Sequence, residues 1–253
     1  MPEGHTLHRL ARDQRKDLRG HKVSVSSPQG RFADSAALLD GHIVERVDAY
    51  GKHLFIRFDS GDILHVHLGL IGKFGRQPSP PDDPVGIVRL RIEGPNATWD
   101  LRGPTVCRII DPLEAKRVVA ALGPDPLRRG ADRDRFVDKV LRSPKPIGAL
   151  LLDQSVIAGI GNVFRAEVLH VLGVHPATPG DQLDRATVEA IWETLARWLR
   201  DGVRRNRIVT NTLADPLHVY HRDVCGNCGA PTVALEIGGR RIDVCPMCQP
   251  APL

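Results

Sequence analysis

The chain has 253 residues, room for one large domain or two of ordinary size, and 42% hydrophobic residues are enough to build real cores. Lys and Arg number 35 against 30 Asp and Glu, a net charge of +5; arginine predominates, which suits phosphate binding, but so small an excess proves no partner. No stretch approaches the roughly 20 apolar residues of a membrane-spanning helix, and no apolar leader precedes the chain, so a cytoplasmic, reducing setting without a membrane is expected.

The chain opens Met1-Pro2-Glu3-Gly4. A small second residue is normally exposed by removal of the initiator methionine, and Pro2 would then carry a free secondary amine. An α-amine titrates near ~8 and an unperturbed lysine near ~10.4. Such an amine is therefore available to attack an electrophilic carbon, with Glu3 beside it to move protons. The plainer alternative is that Pro2 and Glu3 begin a tail or the first helix. The apolar spacing of Leu7, Leu10 and Leu18 predicts a helix over Thr6–Leu18, and a shorter one is expected over Asp34–Asp40.

The first 112 residues otherwise read as β structure. Leu54, Ile56 and Phe58 alternate with His53, Phe55 and Arg57; Leu64, Val66 and Leu68 alternate with His65 and His67; Val88, Leu90 and Ile92 alternate with Arg89 and Arg91. Links such as Asp59-Ser60-Gly61 suggest antiparallel hairpins, and the lack of a βαβ rhythm points to a sandwich or barrel. Lys52, in Tyr50-Gly51-Lys52-His53, lies at a hairpin entry where a flexible cation could reach a ligand, or could stand idle in solvent. His65 and His67 share a strand face, as metal ligands of β-sandwich hydrolases can, but no third ligand stands in clear relation to them. Pro- and Gly-rich residues from Gln77 to Pro84 mark a loop, and Leu122–Asp132 marks a hinge.

Beyond the hinge the period turns helical. In Asp153-Gln154-Ser155-Val156-Ile157-Ala158-Gly159-Ile160-Gly161-Asn162, the two glycines allow a tight turn, and the apolar run Val163–Leu172 predicts a buried helix. Such a turn forms an anion site, with Asn162 capping the helix or donating its side chain; a plain joint between two helices fits as well. From Asp184 to Asp201 the stripe Val188, Ile191, Trp192, Leu195, Trp198 and Leu199 predicts a helix with Asp184 as N-cap and Gly202 as stop. Last come Cys225-x2-Cys228 and Cys245-x2-Cys248, whose two knuckles present four thiolates to one structural Zn2+; the lone Cys107 and the reducing setting argue against disulfides.

Met-Pro-Glu-Gly, Gly51-Lys52-His53, Gly159-Ile160-Gly161-Asn162 and the four-cysteine hairpin, in this order, closely resemble the Fpg/Nei (formamidopyrimidine-DNA glycosylase/endonuclease VIII) family over essentially the whole chain. The resemblance implies a multidomain α+β protein: an N-terminal antiparallel β-sandwich over 1–122, a hinge over 123–132, a helix-two-turn-helix module over 133–220 and a zinc finger over 221–253. It implies a DNA glycosylase/AP lyase of base excision repair, acting as a monomer on damaged DNA at the nucleoid. By motif, Pro2 would be the nucleophile at C1′, Glu3 the acid/base and Lys52 a phosphate-holding catalytic residue, while Asn162 and Arg240 would bind backbone phosphate. Arg241, next to Arg240, is left without an assigned role.

The chain also departs from the family's pattern. Fpg-type enzymes fill the space left by the flipped base with a Met and an Arg-Phe pair; here Leu70 and Ile71 stand at the first wedge, and Gly103 and Pro104 at the second. This is closer to the Nei branch and favours oxidised pyrimidines over 8-oxoguanine. Thr6 replaces a common glutamate, which would weaken base excision relative to abasic-site cleavage. A noncatalytic DNA-binding protein is the alternative from another class; it would not need Pro2, Glu3 and Lys52 together.

Overall fold

The computed structural model describes residues 2–210 and 216–252. They divide into two units, Met1–Ala121 and Leu122–Leu253, each built around its own apolar cluster.

The first unit starts with α1 (Gly4–Leu18), β1 (Ser24–Ser26) and α2 (Ala33–Leu39), then runs through β2 (Val44–Tyr50), β3 (His53–Phe58), β4 (Ile63–His67), β5 (Lys73–Gln77), β6 (Leu90–Glu93), β7 (Thr98–Arg102) and β8 (Val106–Ile110) to α3 (Pro112–Ala120). The strands make two antiparallel four-stranded sheets, ordered β2-β3-β4-β8 and β1-β6-β7-β5. Leu54, Ile56, Phe58 and Val66 from one sheet share a core with Val25, Ile92, Trp99 and Leu101 from the other, so the unit is the expected sandwich. Leu7, Leu10, Ala11 and Leu18 of α1 join the same cluster.

Two strand expectations change. The run begun at Val88 is shorter than its alternation suggests: β6 starts at Leu90, because the Val88 N–H turns back to the Gly86 carbonyl at 3.1 Å. The face carrying Arg91 is not wet. The Arg91 side chain is only 5% exposed and grips Asp100 through two bonds of 2.7 and 3.0 Å, so a charge on the polar phase of the alternation is buried by pairing.

The second unit holds α4 (Arg133–Leu141), α5 (Ile147–Leu150), α6 (Asn162–Val171), a 3-10 turn (Gly180–Gln182), α7 (Arg185–Arg205) and the hairpin β9 (Val233–Glu236)–β10 (Arg241–Val244). Within the 123–132 segment, the Gly123 N–H bonds Gln154 O at 2.8 Å, and the Pro124 carbonyl accepts from Ala158 at 3.0 Å. The finger is continuous with the helices: Cys225, Ile237, Ile242 and Val244 belong to the same core as Phe164, Leu169, Trp192 and Trp198. Both tryptophans are therefore core residues, as their helical stripe implies.

Asp184 caps α7, its carboxylate accepting from Thr187 N at 2.8 Å. Gly202 does not end the helix. It lies buried within α7, and Asn206, left-handed at φ 57°, makes the C-cap four residues later.

Candidate DNA interface and active site

In the first unit, Glu3 precedes α1 in extended conformation, its carbonyl accepting from Thr6 N at 2.9 Å. Its side chain makes no capping bond to the helix and is fully buried, while Pro2 before it is half-buried. His5 is buried as well; desolvation, then the charge of Arg9, lowers its pKa to about 4, so its ring is neutral at physiological pH. The Thr6 hydroxyl lies 3.3 Å from His5 Nε2, so the residue replacing the family's glutamate is turned to its neighbour's ring.

Lys52 sits in a two-residue turn between β2 and β3, where Tyr50 pairs with His53 and Gly51 takes φ 55°. Its charge is close enough to depress the neighbouring imidazoles. His53 falls to about 3 through burial, then His65, His67 and Lys52; His65 falls to about 4 through burial, then Arg108. His53 Nδ1 and His65 Nε2 share a 2.8 Å hydrogen bond, and His65 stacks on Phe55 at 5.0 Å. His67 Nδ1 accepts the Gly69 N–H at 3.1 Å, which places the proton of the neutral ring on Nε2. His65 and His67 are thus committed to the sheet and its following turn. Among the described residues only the four cysteines form a group of three or more metal-capable side chains, so the metal-hydrolase alternative has no site.

After β4 the chain makes a tight turn closed by Gly72 N–H to the Leu68 carbonyl at 3.0 Å. Gly69 has φ +68°, and a Cβ there would fall 1.8 Å from Thr105 Oγ1. At the crest Leu70 and Ile71 are 60% and 83% exposed. Both expected wedge residues are thus apolar side chains held out to water on a tight turn.

In the second unit, Asn162 is the first residue of α6 and Gly161 is its N-cap, so the expected capping role of Asn162 falls to its neighbour. The Asn162 side chain instead donates Nδ2–H to the Arg241 carbonyl at 2.9 Å and accepts from Arg165 at 2.5 Å. Arg165 has no exposed surface and also donates to the carbonyls of Gly148 (3.1 Å), Ile237 (2.9 Å) and Arg241 (3.0 Å). One guanidinium thereby ties α5 and α6 to the finger hairpin. That hairpin turns through Gly238 and Gly239, both with φ near +70°, leaving Arg240 exposed just beyond the turn. Arg241 is exposed too, but its guanidinium pairs with Asp243, with bonds of 2.8 Å from Nε and Nη2.

The four cysteine sulfurs lie within 4.8 Å of one another, with Cys228–Cys245 at 3.5 Å and Cys225–Cys248 at 3.9 Å. Tetrahedral zinc with ~2.3 Å bonds to sulfur sets its ligands about 3.8 Å apart, so the cluster is suited to one structural Zn2+ with no open position. Asn227 donates its backbone N–H to Cys225 and its side-chain amide to Cys248, at 3.4 and 3.5 Å. The Ala230 N–H, then Cys245, lowers the Cys228 thiol to about 7. His170, at the far end of α6 from Asn162, lies 3.7 Å from Cys225 Sγ.

Sequence reading missed Arg165, Glu167 and His170. The available signal was three ionisable residues inside an apolar helix, where each needs a partner. Glu167 is fully buried and accepts from Thr210 Oγ1 and from the backbone N–H groups of His218, Val219 and Tyr220, all between 2.6 and 2.9 Å. It anchors the chain entering the finger.

The formamidopyrimidine-DNA glycosylase N-terminal domain matches residues 1–118, and the H2TH domain of the same enzymes matches residues 122–213. The chain is 44% identical to "Endonuclease 8 1" of Mycobacterium tuberculosis over 98% of its own length and all of that protein's. It is 32% identical to a formamidopyrimidine-DNA glycosylase of Nocardioides over 95% of its length and 85% of that protein's. Its fold is similar to Lactococcus lactis Fpg in complex with DNA containing N7-benzyl-Fapy-dG, with a TM-score of 0.84 at 22% identity, covering 99% of this chain and 100% of that one. A β-sandwich, an H2TH helical module and a four-cysteine finger define a DNA-repair glycosylase architecture. The chain belongs to the Fpg/Nei family.

Proposed function

We propose that this Fpg/Nei protein, a bifunctional DNA glycosylase and AP lyase, removes oxidised pyrimidines such as thymine glycol or 5-hydroxycytosine and opens the abasic site by β,δ-elimination from an iminium on Pro2. The observation that carries this reading is the fully buried Glu3 carboxylate directly after Pro2, at the start of α1. The damaged base leaves the stack at a cost of a few kcal/mol, smaller where pairing is already impaired. With Met1 removed, the Pro2 nitrogen attacks C1′ as the glycosidic bond breaks and the base departs; Glu3 supplies the proton that opens the sugar at O4′. The iminium acidifies the C2′ proton. Its removal expels the 3′ phosphate, and a second elimination expels the 5′ phosphate, leaving a one-nucleotide gap.

Lys52, Asn162 and Arg240 hold backbone phosphates, which positions the strand without identifying the lesion. Leu70 and Ile71 fill the emptied stack. With Gly103 and Pro104 where Fpg-type enzymes carry bulk, this small wedge supports the pyrimidine preference. Zinc takes no part in the chemistry; bound by the four cysteines, it fixes the hairpin that presents Arg240. A second reading, abasic-site cleavage with weak base excision, is favoured by one observation, the Thr6 hydroxyl facing His5.

Borohydride trapping on abasic DNA tests the nucleophile. An N-terminally extended protein, in which the Pro2 nitrogen is an amide, should give no adduct; a persisting adduct moves the nucleophile to Lys52 or elsewhere. Thymine glycol should be released faster than 8-oxoguanine, and the reverse order would overturn the substrate assignment.

A further inference from the structure

The helix α3 is nine residues long and buries none of them. Isolated helices shorter than about 12–15 residues are marginal in water, so a helix with no buried side chain has a face still to be covered. Beneath it lies a cavity of about 460 Å³, within the roughly 300–1,000 Å³ range of ligand sites. Phe55 and Ile63 floor it from the outer face of β3 and β4, and Pro112, Ala115 and Val119 wall it from α3. All five are apolar.

A second cavity of about 380 Å³, lined by Arg15, Arg19, Glu45 and Arg46, adjoins the first. Arg46 lines both, and the Glu45–Arg57 pair at 3.1 Å joins one lining to the other. Across the two linings stand five cations, Arg15, Arg19, Arg46, Arg57 and Lys116, and two carboxylates, Glu45 and Asp48. Both acids are already engaged, Asp48 by Arg46 at 2.8 Å and Arg15 at 3.9 Å, and Glu45 by Arg57. Three positive charges therefore stand in excess beside an apolar slot.

We infer that this surface docks an acidic peptide segment of a partner protein, inserting bulky apolar side chains between α3 and Phe55 while its carboxylates meet Arg19 and Lys116. Charge complementarity selects an anionic partner, and the apolar slot selects a peptide over nucleic acid, whose phosphates would use the rim and leave the slot empty. The surface lies wholly in the first unit and uses none of the residues assigned to the chemistry.

The probe is a fluorescein-labelled peptide of several aspartates followed by Leu-Leu-Phe, titrated against the zinc-loaded full chain by fluorescence anisotropy. Saturable binding with Kd on the order of 10 μM is expected. Val119→Asp should weaken it at least about tenfold, and so should Arg19→Glu combined with Lys116→Glu, while abasic-site cleavage is unchanged. Leu113→Asp, on the same helix outside the slot, should leave binding intact. If either test variant unfolds, the other decides. No saturation by about 1 mM would overturn the proposal. Equal binding of an all-aspartate peptide, or displacement by single-stranded DNA with no effect of Val119→Asp, would assign the surface to simple charge attraction or to nucleic acid and would overturn it as well.

Discussion

Glu3 and Arg165 are two buried ionisable residues in different settings. Glu3 makes no capping bond to the helix it precedes, and its burial beside Pro2 fits proton transfer rather than helix support. Glu3→Gln keeps the volume and removes the proton. It should slow base excision about 10²–10⁴-fold, while borohydride still traps a slowly formed adduct on preformed abasic DNA. Single-turnover kinetics on the two substrates would separate these effects, and a loss under about threefold would leave Glu3 a structural residue. Arg165 does no chemistry; its planar fork satisfies carbonyls from three separate segments and orients the Asn162 amide. An ammonium cannot reproduce that fork. Because each stranded carbonyl costs about 1–3 kcal/mol, Arg165→Lys should lower unfolding stability by about 2–4 kcal/mol in urea titrations and weaken DNA binding through the displaced hairpin.

At the level of elements, the wedge turn and the finger each depend on a few fixed points. Gly69→Ala meets a positive φ and the Thr105 hydroxyl together, so the turn must open to admit the methyl. If Leu70 and Ile71 act in base flipping, as proposed above, base excision should fall by about tenfold or more with little change in abasic-site cleavage; equal losses in both would overturn that role. In the finger, metal and helical core are coupled through Cys225 and Cys245, which lie in the same cluster as Phe164 and Leu169. Chelating the zinc should therefore raise hydrogen exchange in β9 and β10, and also in the C-terminal turn of α6, where His170 meets Cys225. The amides of β2–β4 should keep their protection. Exchange confined to the hairpin would show that the finger stands apart from the helices.

For the whole molecule, what could be read from sequence depends on how far apart the interacting residues are. The alternation of β3 and the stripe of α7 are local, and both gave the elements observed, as the cysteine spacing gave the metal cluster. The finger partners of Arg165 lie 72 to 76 residues away and the partners of Glu167 43 to 53, so no local pattern announces them. Gly202 misled because its neighbours bury it in the helix while Asn206 supplies the left-handed cap. The same separation of environments predicts how the protein responds to acid. In the first unit, burial holds His5, His53 and His65 at about 4, 3 and 4, below the ordinary 6.5. Between pH 6.5 and those values the unfolded chain takes up protons that the folded unit refuses, so stability falls as pH falls through that window. At pH 5 the loss is up to about 2 kcal/mol per histidine, and less than the sum for His53 and His65, which share a hydrogen bond. In the second unit, burial pushes Glu167 upward, but bonds from His218, Thr210 and the Val219 backbone outweigh it and hold the carboxyl at about 2, against an ordinary 4.5. Its contribution is complete above pH 4.5 and is lost only toward pH 2. His170 and His175 are lowered in the same unit, each by burial first, and add a loss as the pH falls below 6.5. Segment-resolved hydrogen exchange, corrected for intrinsic rates, should show β3 and β4 losing protection between pH 6.5 and 5 while the 218–220 amides bound to Glu167 keep theirs. His65→Gln should flatten that acid slope in the first unit alone; an unchanged slope would mean that His53 and His65 take up protons without loosening the sheet.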